Sequence, residues 1–128
     1  MDGIPHFMIS SAIALALAPF IGWWSLLALV GGWAVDFDHY LFYIGYFRKL
    51  DPFEALRYFK GEERVVTTFC FFHNIEVIIL LSFISFFSLP VLVATIALII
   101  HVFCDIAYDT FVRKMEHERF SILMYTFL

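Results

Sequence analysis

The sequence predicts an all-α integral membrane protein, a four-transmembrane-helix bundle with a short interfacial helix between spans 2 and 3. Hydrophobic residues make up 62% of the 128-residue chain and 17 residues are phenylalanine, and the mean hydropathy is +0.87. This composition leaves too little polar surface to solvate a compact globule. The length suits one membrane domain, residues 1–128, because a span takes about 20 residues and connections within a bundle are short.

The first two spans are expected from one long apolar run. Residues 4–47 are nearly all apolar, and as a single helix they would be roughly 65 Å long, about twice the thickness of a bilayer core. We predict that the run folds back at residues 18–22, because proline removes a helix donor and glycine tolerates a turn. The predicted spans are about 4–20 and 23–47.

A polar stretch, residues 48–64, follows the second span. Its helix-start signals are an N-cap residue, a proline at the first position and a capping-box glutamate: Asp51, Pro52 and Glu54. They predict a short surface helix over about 51–60. Apolar side chains recur at helical spacing opposite Arg57 and Lys60, so this helix is predicted to lie in the headgroup plane.

The rest of the chain is expected to supply a third span at 65–88, a fourth at 91–109 and a tail at 110–128, with a tight turn at Pro90. In this topology all 8 lysines and arginines lie on one side, which the positive-inside rule makes cytoplasmic. We therefore predict a multi-pass protein of the cell (inner or plasma) membrane with both termini cytoplasmic.

Composition also bears on partners and on the two cysteines. The net charge is −4 and no basic stripe alternates with aromatic residues, so the sequence does not predict nucleic-acid binding. Cys70 and Cys104 fall inside predicted spans, which argues against a disulfide framework. They are predicted to be small apolar packing residues.

Acidic residues and histidines interrupt the apolar spans. A carboxylate near the bilayer centre costs roughly 2.5–3.5 kcal/mol, and we expect bound metal to offset that cost. Counted from the polar ends, three histidines lie roughly 12–14 Å inside, in one layer. The predicted metal ligands are His6, Asp36, His39, His73, His101 and Asp105. Imidazole with carboxylate suits one or two divalent ions, zinc first, with manganese or iron as alternatives.

Asp38 does not fit this pattern. At about 100° per residue it points some 160° away from Asp36, so it joins the site only if the helix unwinds. Gly31 and Gly32 make such a distortion conceivable. Helical spacing also places Glu76 on the same face as His73.

At these motifs the chain resembles the membrane-bound metal-dependent hydrolases of bacterial and archaeal inner membranes, over nearly its whole length. The matching residues are His6, Asp36-Phe37-Asp38-His39, His73, and His101 with Asp105. Val35 stands where that family usually has proline, and residues 68–73 replace a His-Arg-Gly-x-Thr-His element, which loses one histidine and one arginine. The resemblance implies a small four-helix membrane domain that hydrolyses its substrate with the help of metal.

The expected reaction is metal-assisted hydrolysis of an ester or phosphoester of a membrane lipid. Glu76 or Asp38 would act as general base, and Arg48 or Arg64 would hold an anionic headgroup. Other classes of function stay open. The ligands would also suit divalent-metal binding or transport by a homo-oligomer, or the acid–histidine pairs would only hold a structural bundle together. Haem is disfavoured, because each histidine has a carboxylate one turn away.

Overall fold

The computed structural model describes residues 3–60, 69–108 and 110–111. All the regular structure in these segments is helical. In chain order the α-helices are α1 (Gly3–Ile21), α2 (Leu27–Gly32), α3 (Phe37–Phe47), α4 (Pro52–Lys60), α5 (Ile75–Ser85) and α6 (Leu89–Tyr108). The predicted all-α class is confirmed for the described part of the chain.

The helices α1 and α2 form an antiparallel hairpin. The chain reverses at Gly22, whose φ of 58° lies in the left-handed region that glycine adopts without strain. Near this turn Ala14 packs in one cluster with Ala28, and at the far end the Phe7 and Trp33 rings lie 5.3 Å apart. The predicted reversal at residues 18–22 is therefore confirmed.

A second interruption follows α2 and corrects the predicted span 23–47. Trp33 leaves the helical region with φ −135° and ψ −48°, and a 3₁₀ turn at Ala34–Asp36 precedes α3. The helix stops here because Gly31 and Gly32 are weak helix formers and α2 is pressed against α6. A Cβ placed on Gly31 would lie 1.9 Å from the Ala94 carbonyl oxygen.

The start of α4 agrees with its sequence signals. Asp51 Oδ1 accepts hydrogen bonds from the backbone N–H groups of Phe53, at 2.8 Å, and of Glu54, at 3.3 Å. The Glu54 carboxylate pairs with Lys49 Nζ, and this hydrogen bond raises the pKa of the Lys49 amine. The cap at Asp51 and the bounds of the short helix are confirmed.

One side of α4 packs back along α3. The Tyr58 ring lies 4.9 Å from that of Phe47, and the Phe59 ring lies 5.2 Å from that of His39, while Phe53 is exposed. The helix thus runs from the end of α3 back towards its beginning. Its position in a headgroup plane stays a prediction.

The third predicted span, 65–88, differs most from the structure. In its described part Cys70 and Asn74 have extended backbone, a 3₁₀ turn covers Phe71–His73, and α-helix begins only at Ile75. The Asn74 side-chain amide donates to the carbonyls of Cys70, at 2.7 Å, and Phe71, at 3.2 Å, and such local bonds compete with helix. The resulting α5 is roughly 16 Å long, about half a bilayer core.

The turn before α6 agrees with the sequence analysis. The chain turns at residues 86–88 and α6 begins at Leu89, so Pro90 stands in the first turn, where a missing N–H costs nothing. Asp109, Arg64 and all of the predicted tail except residues 110–111 lie outside the described residues.

Two helical stretches of the described chain are long and apolar enough to cross a membrane, Gly3–Phe47 and Leu89–Tyr108. The first of them folds back at Gly22. The bundle core is built from small side chains such as Ala14, Ala28 and Ala97, whereas large apolar side chains face outward. Trp23 is 88% exposed and Phe86 is 83% exposed.

Candidate metal centre

Polar side chains converge at the end of the bundle opposite the turns at Gly22 and Phe86. They come from the start of α1, the turn before α3 and its first residues, the turn before α5, and the second half of α6. They form two groups, within each of which the ligand atoms lie within 4.8 Å of one another. The first group is His6, Asp36, His101 and Asp105, and the second group is Asp38, His39, Cys70 and His73.

These groups contain all six predicted metal ligands. The histidines predicted to share one layer meet there, with the His73 ring 4.7 Å from that of His39 and 5.1 Å from that of His101. Asp38 joins the second group, which the sequence allowed only if the helix unwound. The backbone stays in the helical region from Asp36 to Asp38, so the two carboxylates point apart as the sequence predicted, and they enter different groups.

Two histidines have defined ring orientations. His101 Nδ1 lies 2.9 Å from the Gly32 carbonyl oxygen, and His73 Nδ1 lies 3.2 Å from Asp38 Oδ2. A carbonyl and a carboxylate only accept, so each Nδ1 carries a hydrogen, and in a neutral ring the lone pair is then on Nε2, where a metal ion would bind. The two Nε2 atoms face each other at 3.0 Å.

Carboxylate oxygens surround this pair of nitrogens. Asp105 Oδ2 lies 3.2 Å from His101 Nε2 and 3.8 Å from His73 Nε2, and Asp36 Oδ1 lies 3.3 Å from His101 Nε2. Around a tetrahedral zinc ion with bonds of about 2.0–2.1 Å, ligand atoms are about 3.3–3.4 Å apart. The observed separations therefore fit one divalent ion.

His6 supports this arrangement from behind. Its Nε2 donates to Asp105 Oδ1 over 2.9 Å, its side chain is 1% exposed, and its ring lies 3.9 Å from that of His101. A hydrogen bond to the far oxygen of a carboxylate orients the oxygen that faces the metal. The structure thus places His6 beside the centre as an orienting partner of Asp105.

The second group contains two buried atoms without hydrogen-bond partners among the described residues. These atoms are Asp38 Oδ1 and His39 Nδ1, and they lie 3.0 Å apart. The other oxygen of Asp38 accepts from the Phe72 backbone N–H at 3.0 Å as well as from His73. Asp38 therefore has one oxygen engaged and one oriented towards His39.

The centre is open at one edge. The Asp36 side chain is 29% exposed and the His39 side chain 19%, whereas those of His73 and His101 are almost fully buried. Phe59 of α4 packs edge-on against the His39 ring. Water can reach the ligands from the side of Asp36 and His39.

Two residues predicted for the site, Glu76 and Arg48, lie elsewhere in the described structure. Glu76 is in the first turn of α5, half-buried and outside both groups, because the extended Asn74 breaks the helical spacing from His73. Arg48 is the exposed C-terminal cap of α3, roughly 14 Å along that helix from His39. Arg64 lies outside the described residues.

Sequence reasoning missed Cys70, which was interpreted as a packing residue. A signal was present, because Cys70-x-x-His73 has the short spacing that metal ligands often show. It also lies in the segment where the chain departs from the hydrolase pattern. Cys104 lies outside both groups.

An apolar cavity of about 340 Å³ also escaped the sequence analysis. It lies between α2, α5 and α6, and its lining includes Leu27, Val30, Val35, Phe72, Leu81 and Thr95. Val35 and Phe72 directly precede Asp36 and His73, so one end of the cavity lies beside the centre. The Thr95 hydroxyl is buried and has no hydrogen-bond partner in the described structure.

The described residues thus include histidine, aspartate and cysteine groups that could hold a metal ion. The donors of the first group are imidazole and carboxylate, a combination that suits zinc, manganese or iron. Their lone pairs converge from three separate parts of the chain. No known protein family, curated protein or solved structure matches this chain.

Proposed function

We propose that this protein is a membrane-embedded, metal-dependent hydrolase that acts on a lipid ester or phosphoester. One observation carries the proposal: the donor atoms of His73, His101 and Asp105 lie 3.0, 3.2 and 3.8 Å from one another. Sets of three protein ligands with one side left open are typical of catalytic zinc sites, whereas structural sites are closed by four. The resemblance to the membrane-bound metal-dependent hydrolases points the same way.

The residues around this set have separate tasks in the proposal. A divalent ion there would polarise the bond to be broken and lower the pKa of water to about 7. Asp36, 3.3 Å from His101 Nε2 and at the open edge, takes the proton from the attacking water. Asp38 is less suited to this than the sequence suggested, because His73 and Phe72 already donate to it. It orients His73 instead.

A lipid substrate is supported by the apolar cavity beside the centre. An acyl chain occupies the space between α2, α5 and α6, next to Val35 and Phe72. The Thr95 hydroxyl donates to one ester carbonyl of the lipid, which removes the cost of an unpaired buried hydroxyl. The bond to be cleaved then lies at the ligands roughly 9 Å further along α6.

Membrane placement is supported by the exposed apolar side chains on the outside of the bundle. Trp23, Phe20, Phe86 and Phe87 are all at least 79% exposed and cluster near the two turns opposite the centre. In the proposed orientation these turns face away from the cytoplasm and the termini are cytoplasmic. Arg48, one helix length from the centre, would then contact an anionic headgroup.

The test uses the full chain in lipid nanodiscs of phosphatidylethanolamine and phosphatidylglycerol. Elemental analysis gives bound metal, and mass spectrometry follows released fatty acid or headgroup. We expect product that disappears on chelation, returns with zinc, and is absent in Asp105→Ala. Asp51→Asn, far from the centre, should keep full activity.

The alternatives predict other results in the same experiment. If the protein contains metal and forms no product but carries zinc across liposome membranes, its function is metal transport and the hydrolase proposal is wrong. If the protein binds no metal even after reconstitution, the acid–histidine contacts only hold a structural bundle together.

A further inference from the structure

The second group contributes His73 to the proposed hydrolytic site, and its other donors have features of a separate binding site. Asp38 and His73 are 7% and 5% exposed, yet among the described residues Asp38 Oδ1 and its neighbour His39 Nδ1 have no well-aligned hydrogen-bond partner. An unsatisfied buried polar atom costs about 1–3 kcal/mol, more when charged. The two atoms lie 3.0 Å apart, which is an ion-pair distance when His39 is protonated and is also close enough for both atoms to be ligands of one metal ion.

Cys70 supplies a third donor to the same place. Its side chain is buried, and its sulfur lies within 4.8 Å of the ligand atoms of Asp38, His39 and His73. The extended backbone at Cys70 and the 3₁₀ turn at Phe71–His73 bring the thiol into the group that contains Asp38.

We propose that Asp38 Oδ1, His39 Nδ1 and Cys70 Sγ bind a second transition-metal ion, so that the centre holds two ions and one of them has a thiolate ligand. The inference goes beyond the proposed hydrolysis, because it concerns metal binding alone. Asp38 links the two sites, with Oδ1 on the second ion and Oδ2 accepting the Nδ1 hydrogen of His73, a ligand of the first.

The donor set determines which metals this site prefers. A thiolate is a soft ligand that selects zinc, cobalt or copper(I) over magnesium, calcium and manganese. Binding replaces the thiol proton, which leaves to solvent, by a metal–sulfur bond. The first site, built from imidazole and carboxylate, has no such preference for soft ions.

Cobalt substitution separates the two sites. Protein purified without metal and reconstituted with Co²⁺ in detergent should bind about two equivalents and show a near-ultraviolet thiolate-to-cobalt charge-transfer band. Cys70→Ser should lose the band and one equivalent, whereas Cys104→Ser, the matched control, should keep both. His101→Asn should lose the other equivalent and keep the band.

Alkylation of the unmodified protein gives a second readout that needs no variant. Zinc should slow the reaction of Cys70 with iodoacetamide at least tenfold and leave that of Cys104 unchanged, as measured by peptide mass spectrometry. A wild-type cobalt spectrum without the band, a band that survives in Cys70→Ser, or equal zinc protection of both cysteines would overturn the proposal. Absence of lipid hydrolysis would not affect any of these readouts.

Discussion

His73 and His101 direct their Nε2 atoms at each other across 3.0 Å, although each ring already donates from Nδ1, to Asp38 and to the Gly32 carbonyl. Two such nitrogens face each other at this distance only with a proton or a metal ion between them. The carboxylates of Asp36 and Asp105 add negative charge at the same point. The same donors form groups that could hold a metal ion.

The variant His101→Asn tests the lone pair directly. The asparagine amide can still donate to the Gly32 carbonyl, but it has no atom in place of Nε2. We expect the fold to survive, with a similar thermal midpoint in detergent, and the first-site metal to be lost in elemental analysis. Full metal content in this variant would remove His101 from the ligand set.

Two variants test whether Asp36 or Glu76 is the general base. Asp36→Asn should lower the rate of lipid hydrolysis by about 10²–10⁴-fold, because the base takes a proton in the transition state. Glu76→Gln, outside both groups, should keep most of the activity. The opposite pattern in kcat would return the role to Glu76, which together with Asp38 was a candidate from the sequence.

The close approach of α2 and α6 should be sensitive to one methyl group. Gly31→Ala places a carbon against the backbone of Ala94, and overpacking of this kind costs about 1–3 kcal/mol or more. We expect a lower thermal midpoint and weaker zinc binding, because His101 on α6 donates to the residue after Gly31.

Gly45 provides the control for this variant. A Cβ at Gly45 would have no neighbouring atom within 4 Å, so Gly45→Ala should be neutral or stabilising by about 0.5–1 kcal/mol. Equal destabilisation by both variants would mean that the α2–α6 contact is not the cause.

Removal of the Thr95 hydroxyl should raise the stability of the protein and lower its activity. Thr95→Val removes a buried group without a partner, and we expect the thermal midpoint to rise by an amount that corresponds to about 1 kcal/mol. If the hydroxyl donates to a lipid ester, kcat/KM for lipid hydrolysis should fall roughly fivefold to tenfold.

Thr95→Ser keeps the hydroxyl and serves as the matched variant. It should retain the wild-type kcat/KM while it loses one buried methyl group. Unchanged lipid hydrolysis in Thr95→Val would show that the cavity does not bind substrate through this group.

Much of the local structure could be predicted because its causes are local. The cap at Asp51 depends on a side chain that reaches backbone N–H groups two and three residues away. The reversal at Gly22 depends on a left-handed φ that glycine adopts freely.

The prediction for the third span was wrong in its described part because hydropathy does not report backbone geometry. Residues 70–74 are apolar enough to continue a helix, but the Asn74 amide bonds to two preceding carbonyls and keeps its own backbone extended. Glu76 consequently leaves the face of His73. Cys70 enters the second group by the same change.

The sequence by itself determined the helical class, the apolar exterior and six residues that carry imidazole or carboxylate donors to one end of the bundle. Composition and helical periodicity are enough for these features. Only the tertiary structure decided which donor atoms meet. The non-helical backbone before α5 brings His73 to Asp38, and packing of α2 on α6 aligns His101 with the Gly32 carbonyl. Both depend on contacts between residues far apart in the chain, and no periodicity of a single helix contains them.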